Sequence, residues 1–449
     1  MLGEKSFISY KKYVCNFCYF SIAFVGVLAV YFILHNANWM CGDDLEWIRT
    51  TAIGKIEPMA CHVGQGRFTP LGHYDSNLTV LIPYGYTAFV HYVLVAIYFL
   101  LASIFFLKTI NKIVPNLNVC LLLAIYSLFV YVSLEIFIFI VYSEKVVLTG
   151  LAFFMYTIQK IQEKASWLLT ILLCVVVAYI TYAKEPVFGA FVVFSLLNFI
   201  FRRKEQNCKE KTVCYFCLLN ALVFVLLYYS LVYLHSDKFY NQGRVQLNYF
   251  QNIVVAIRNQ PCLSIIFVLF IYKIFGILKT KVMSYSDIFL FMAVSYCMAY
   301  FVLKLNDAYY FIPAIMLALP SICKFLNGLL NLKFAKYPVY LLLCLLLYKS
   351  VKNIVVMGKA VSYNRVYYPG YFHDLARIAE ANTIYVVTDS LKMSDLHYGY
   401  KVKNDEIFIG YWMTPRNLNY KFTYVSSVDS VPKGSYVRIY DNGLNFYKK

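Results

Sequence analysis

The residues able to do chemistry in this chain are few, and long apolar stretches separate them. Asp43 and Asp44 stand side by side in Asn38-Trp-Met-Cys-Gly-Asp-Asp-Leu-Glu-Trp-Ile-Arg49. A carboxylate can act as general base on an attacking hydroxyl, and adjacent acids repel, which favours one of them as a proton carrier. The spacing Asp43-x-x-Glu46 also fits a capping box at the start of a short helix, with Leu45, Ile48 and Ala52 on one face. Capping and catalysis both account for the pair. Three cations stand in polar segments outside the apolar runs: Arg67 in Gly64-Gln-Gly-Arg-Phe-Thr-Pro-Leu-Gly72, Lys184 in Lys184-Glu185-Pro186, and Lys304. Glu185 can orient Lys184 or accept hydrogen bonds from ligand hydroxyls, although Lys184-Glu185-Pro186 also makes an ordinary interfacial turn. Arg244 and Arg258 are weaker candidates, because a solvated loop needs no special reason to hold an arginine. No pair among His35, His62, His73 and His91 has HxH or HxxxH spacing, so no zinc site is expected.

The elements that must position these residues are transmembrane helices. Of the 449 residues, 61% are hydrophobic, against roughly 45–50% in an ordinary soluble domain. The excess lies in eleven runs at about 14–34, 84–107, 117–141, 146–159, 166–182, 186–201, 212–234, 261–278, 287–303, 309–326 and 337–355. A helix of about 20 residues spans a bilayer because it satisfies its own backbone hydrogen bonds. Lys5, Lys11 and Lys12 precede the first run, which is too long for a cleaved signal peptide and reads as a signal anchor. The net charge of +18 does not mark a nucleic-acid binder, because the Lys and Arg residues gather in short connections between runs. Those connections, holding Lys108/Lys112, Lys160/Lys164, Arg202 to Lys211, Lys279/Lys281 and Lys324/Lys333/Lys336, are cytoplasmic by the positive-inside rule.

A cytoplasmic N-terminus and an odd number of crossings put the first loop, 35–83, and everything after 356 outside. Residues 1–355 then form the membrane domain, and 356–449 a soluble extracytoplasmic α/β domain. Its strand-like runs are Thr383-Ile-Tyr-Val-Val-Thr388, Glu406-Ile-Phe-Ile-Gly410 and Tyr436-Val-Arg-Ile-Tyr440, with helical spacing over 373–380. Asp43, Asp44, Glu46, Glu135, Glu144, Lys145, Lys184, Glu185, Lys304 and Asp307 all fall at the outer rim. Charges beside hydrocarbon are costly, so this gathering favours a working site at that face, although helix ends also carry polar residues for no further reason. Most of the 13 cysteines lie inside predicted helices as small apolar residues, while Cys41 and Cys61 share the first loop and could pair. Asn77-Leu78-Thr79 matches a glycosylation sequon.

This layout resembles the GT-C class of membrane glycosyltransferases, which includes protein mannosyltransferases, aminoarabinose transferases and O-antigen-modifying glucosyltransferases of bacteria. The resemblance covers the plan of the whole chain. It rests on Asp43-Asp44, Gly66-Arg67-Phe68, Lys184-Glu185 after the fifth run, and Tyr309-Tyr310-Phe311-Ile312-Pro313 opening the tenth. Several members carry an arginine in a segment like the last; its absence here shifts attention to Lys304.

The resemblance implies a hexosyltransferase-like enzyme of the cell (inner) membrane. Its donor is a polyprenyl-phosphate-linked sugar, and its acceptor an envelope glycan, lipid or protein. Asp43 or Asp44 is then the catalytic base, and Arg67, Lys184, Glu185, Lys304 and Tyr309 hold the donor phosphate and sugar. The class also admits a divalent cation held by Asp43, Asp44 and a sugar phosphate. Competing readings are a transporter or flippase of lipid-linked glycans, a polymerase or ligase acting on the same substrates, and a membrane protein with no chemistry. Transporter folds commonly show paired repeats and helices broken near the midplane, neither of which is visible here. Polymerases and ligases usually place their large loop late among the spans, whereas here it comes first.

Overall fold

The structure is a computed structural model that describes residues 2–35, 56, 66–82, 88–140, 142–236, 248–379, 383–387, 422–439 and 446–448. The apolar runs become helices: α1 (Leu2–Leu34), α2 (Ala88–Ile113), α3 (Val119–Ile138), α4 (Glu144–Glu163), α5 (Trp167–Ala183), α6 (Val187–Phe201) and α7 (Cys208–Leu231). After α8 (Tyr249–Asn259), they continue as α9 (Cys262–Thr280), α10 (Tyr285–Val302), α11 (Ile312–Leu330) and α12 (Lys336–Ala379). Eight of these helices are long and apolar enough to cross a membrane: α1, α2, α3, α7, α9, α10, α11 and α12. The chain is a helical, multi-pass membrane protein. α8 was not among the predicted runs. It is short and amphipathic, burying Asn252 and Ala256 while exposing Tyr249, Phe250 and Val254.

α3, α10 and α11 form the buried centre, with α4 packed beside them. Lipid tails are as apolar as leucine, so these helices associate through close packing and interhelical hydrogen bonds. Phe106 stacks on Phe129 with ring centroids 4.5 Å apart, and Phe154 packs edge-on against Phe191 and Phe194 at 5.0 and 4.8 Å. Gly150 lets α4 and α5 approach: a Cβ there would lie 2.4 Å from Ile180 Cγ2.

Contacts between connecting segments fall into two sets, one at each end of the bundle. At the first end, the Leu71 N–H donates to the Tyr182 carbonyl, Tyr142 stacks on Tyr309, and Asn306 donates to Asn252. At the opposite end, Asn207 donates to the Ile161 carbonyl, Asn118 to the Tyr340 hydroxyl, and Lys112 meets Glu163. α5 and α6 have 17 and 15 residues, or about 25 and 22 Å of helix against a hydrocarbon core of about 30 Å. Residues 66–72 of the first loop pack on their connecting turn, Lys184-Glu185-Pro186: the Phe68 N–H meets Glu185, and a Cβ on Gly72 would lie 3.2 Å from the Ala183 carbonyl.

α12 does not end near 356 but runs on to Ala379. Beyond it, β1 (Ile384–Val387), β2 (Phe422–Val425), β3 (Tyr436–Ile439) and β4 (Phe446–Lys448) form one sheet in the order β2-β1-β3-β4. The first three strands are parallel, with Ile384 opposite Phe422 and Tyr436, and β4 is antiparallel to β3. β1 and β3 lie on predicted runs, β2 and β4 were not foreseen, and 406–410 lies outside the described residues.

Candidate functional site

The first end of the bundle holds a group of buried charges drawn from distant parts of the chain. Arg67 grips Glu185 with a two-point fork, Nε donating to Oε1 at 2.7 Å and Nη2 to Oε2 at 3.1 Å. The Phe68 N–H adds a third bond to Oε1 at 3.1 Å. Burial alone would raise the Glu185 carboxyl, but the Arg67 charge and hydrogen bonds, with Lys184 nearby, hold it below the usual carboxylate range. Glu185 is thus an acceptor fully engaged in fastening the first loop. Two further contacts complete the fastening. The Tyr228 hydroxyl donates to the Gly66 carbonyl at 3.3 Å, where Gly66 takes the left-handed φ of 67°. The Phe68 ring wedges between Tyr182 and Phe224, with centroids 6.2 and 5.4 Å away.

Lys184 turns the other way. Its Nζ lies 2.7 Å from the Glu144 carboxylate and 5.4 Å from the Tyr310 ring centroid, in a pair whose side chains are 9% and 1% exposed. Around it runs a ladder of rings: Tyr142 on Tyr309 at 4.3 Å, Tyr309 on Tyr310 at 4.1 Å, Tyr310 on Tyr300 at 4.8 Å, and Tyr300 on Tyr296 at 5.4 Å. Lys145, also buried, donates to the Ile140 and Tyr142 carbonyls at 2.6 and 3.1 Å and lies 3.9 Å from the Asp75 carboxylate.

Between α6, α7 and α10 lies a cavity of about 750 Å³, bordered by Gly66 and Arg67. Most of its wall is apolar, from Phe188, Phe224, Val225, Met298, Ala299, Val302 and Leu303. Val225, Met298, Val302 and Leu303 are exposed, so the cavity opens sideways between α7 and α10. Its charged corner is made by Arg67, Glu185 and Lys304. Lys304 closes α10 in a left-handed conformation, φ 54°, with its N–H donating to the Phe301 carbonyl at 3.1 Å. That conformation is uncommon for a residue with a side chain. Its Nζ stands 5.0 Å from the Tyr249 ring centroid of α8, and no carboxylate lies within ion-pairing distance among the described residues. The corner therefore carries a paired Arg67 and a Lys304 charge that has no carboxylate partner among the described residues.

The structure brings Arg67, Glu185 and Lys304 to one cavity, whereas Lys184 and Tyr309 belong to the buried ladder behind it and do not line it. Asp43, Asp44, Cys41 and Cys61 lie outside the described residues, and with them the donors of the divalent cation that the resemblance admits. No three His, Cys, Asp or Glu side chains gather as a metal site among the described residues. Asn77 of the sequon is buried, and the Thr79 hydroxyl is turned to the Ser76 carbonyl at 2.7 Å. Sequence reasoning placed Glu144 at this rim but not as the partner of Lys184, and gave no role to Gly189, Ser295 or Tyr300, all of which line the cavity. Tyrosines within apolar runs look like interfacial belts, so the ladder left no separate signal. No protein-family model matches the sequence, and no curated protein is detectably similar to it.

Proposed function

We propose that the chain is a GT-C-like membrane glycosyltransferase that moves a sugar from a polyprenyl-phosphate donor to an envelope glycan, lipid or protein acceptor on the extracytoplasmic face. The observation that carries this reading is the cavity with its charged corner. It is apolar and open along one side, as an isoprenoid chain requires, and Lys304 supplies the phosphate at its rim with a cation that has no carboxylate partner among the described residues. Eleven crossings agree with the contacts of the shorter helices. α4 meets Lys184 at its start and Lys112 at its end, and α6 starts beside Glu185 and ends at Arg202, whose guanidinium lies 3.8 Å from the Tyr285 ring centroid. The basic connections at the opposite end favour a cytoplasmic placement for it, which puts the cavity mouth and the first loop outside.

The mechanism follows from what a lipid phosphate demands. Lys304 neutralises charge that builds on the departing phosphate, a role in which electrostatic stabilisation is commonly the largest single contribution. Asp43 or Asp44 removes the proton from the acceptor hydroxyl, an assistance typically worth about 10²- to 10⁴-fold. Direct attack on the anomeric carbon inverts its configuration. Arg67 and Glu185 fasten residues 66–68 at the edge of the cavity.

The test is sugar transfer by purified protein in lipid nanodiscs, from a radiolabelled polyprenyl-phosphate hexose to a pool of envelope glycans. Asp43→Asn or Asp44→Asn is expected to abolish transfer. Transfer that survives both substitutions removes the catalytic assignment.

A further inference from the structure

Glycines in this bundle divide by what a side chain would meet. At Gly150 an added Cβ would lie 2.4 Å from Ile180 Cγ2, and at Gly26 it would lie 2.9 Å from the Tyr126 hydroxyl. These positions are glycine because two helices touch there. Gly189, near the start of α6, is different. A Cβ there would find nothing closer than Ser295 Oγ at 3.5 Å, an ordinary contact, so packing does not require a glycine. Nor does the backbone, because Gly189 is helical, where glycine costs about 1 kcal/mol relative to alanine. What the missing side chain leaves is room. Gly189 and Ser295 face each other across the wall of the cavity, two small residues among large apolar ones, with the Arg67–Glu185 corner and Lys304 at the same cavity.

We infer that Gly189, with Ser295 opposite, is a specificity-determining position that keeps the cavity open for the chain of a phosphate-headed isoprenoid lipid. This rests on the function proposed above and adds to it the residue that sets how much chain the cavity admits. An isoprenoid is branched at every repeat and needs width as well as length. A side chain at 189 takes that width on a wall that Ser295 shares. The position thus separates the seating of the lipid from the capture of its phosphate.

The experiment measures binding of undecaprenyl phosphate to the full chain in nanodiscs by native mass spectrometry, alongside thermal unfolding. Gly189→Leu is expected to bind about tenfold more weakly than wild type, as overfilling of a fitted site implies. Gly189→Ala is expected to bind within about threefold of wild type and to unfold at the same or a slightly higher temperature. Ser295→Leu, approaching from the facing helix, should repeat the loss if Gly189→Leu does not fold. Equal binding by wild type and a folded leucine variant overturns the inference while leaving the proposed function standing. Absence of binding by wild type itself overturns both.

Discussion

The two ends of the bundle use their charges differently. At the opposite end, acids cap helices and cations sit at the rim. Asn207 and Glu210 form a capping box on α7, Ser284 and Asp287 another on α10, and Lys273 lies 2.9 Å from Asp287. Arg202 meets Glu205 only three residues away, with Glu205 more than half exposed. At the first end, the pairs join residues far apart in the chain, as Arg67 and Glu185 do across 118 positions, and they lie inside the protein. Taking charges from water is expensive, and attraction between them returns the cost only with good geometry and added hydrogen bonds. Pairs at the opposite end cap helices and join neighbouring connections; those at the first end hold a loop and border a cavity.

That contrast can be broken or sharpened by substitution. The largest effect is expected from Glu144→Gln, which strands the buried Lys184 charge. It should lower stability by about 3–5 kcal/mol, read as a large fall in thermal unfolding temperature in detergent, and a loss under 1 kcal/mol would contradict the account. Arg67→Ala comes next. Its pair is 19% and 15% exposed, so a cost of about 2 kcal/mol is expected. The same pair gives a pH signature. Because the Glu185 carboxyl titrates below its usual range, its stabilisation is fully present above an ordinary carboxylate pKa of about 4.3. It is lost as pH falls through the lower folded value, so wild type should lose stability below about pH 4.3 more steeply than Glu185→Gln. The smallest effect is expected from Lys160→Ala at the opposite end, under about 1 kcal/mol, since its pair with Glu163 is 43% and 54% exposed. A cost there equal to that of Arg67→Ala would erase the difference between the ends.

Much of the scaffold was legible in the sequence for a simple reason: hydrocarbon demands long apolar runs, and each of the eleven became part of a helix. The end of α12 was not legible, because a change to polar residues near 356 need not mark where a helix stops, and α12 continues to Ala379. α8 escaped notice since an eleven-residue amphipathic segment carries a weaker signal than a full span. At the candidate site, Glu185 and Lys304 were visible as charges at the ends of apolar runs and Arg67 as a charge in the first loop, but their partners were not. Lys184 and Glu185 are adjacent in sequence yet serve opposite sides, one facing Glu144 and the other Arg67. Only the packing of α4 against α5 and the return of the first loop decide which goes where. Gly189 gave no sign at all, because its significance lies in the space beside it.

In the function proposed above, Lys304 receives the phosphate of a lipid lying in the cavity. That role is tested most directly by the affinity of Lys304→Gln for undecaprenyl phosphate in nanodiscs at low and moderate salt. The account predicts binding at least about tenfold weaker than wild type, with much of the salt dependence gone and largely restored in Lys304→Arg. Undiminished, equally salt-sensitive binding by Lys304→Gln would contradict it.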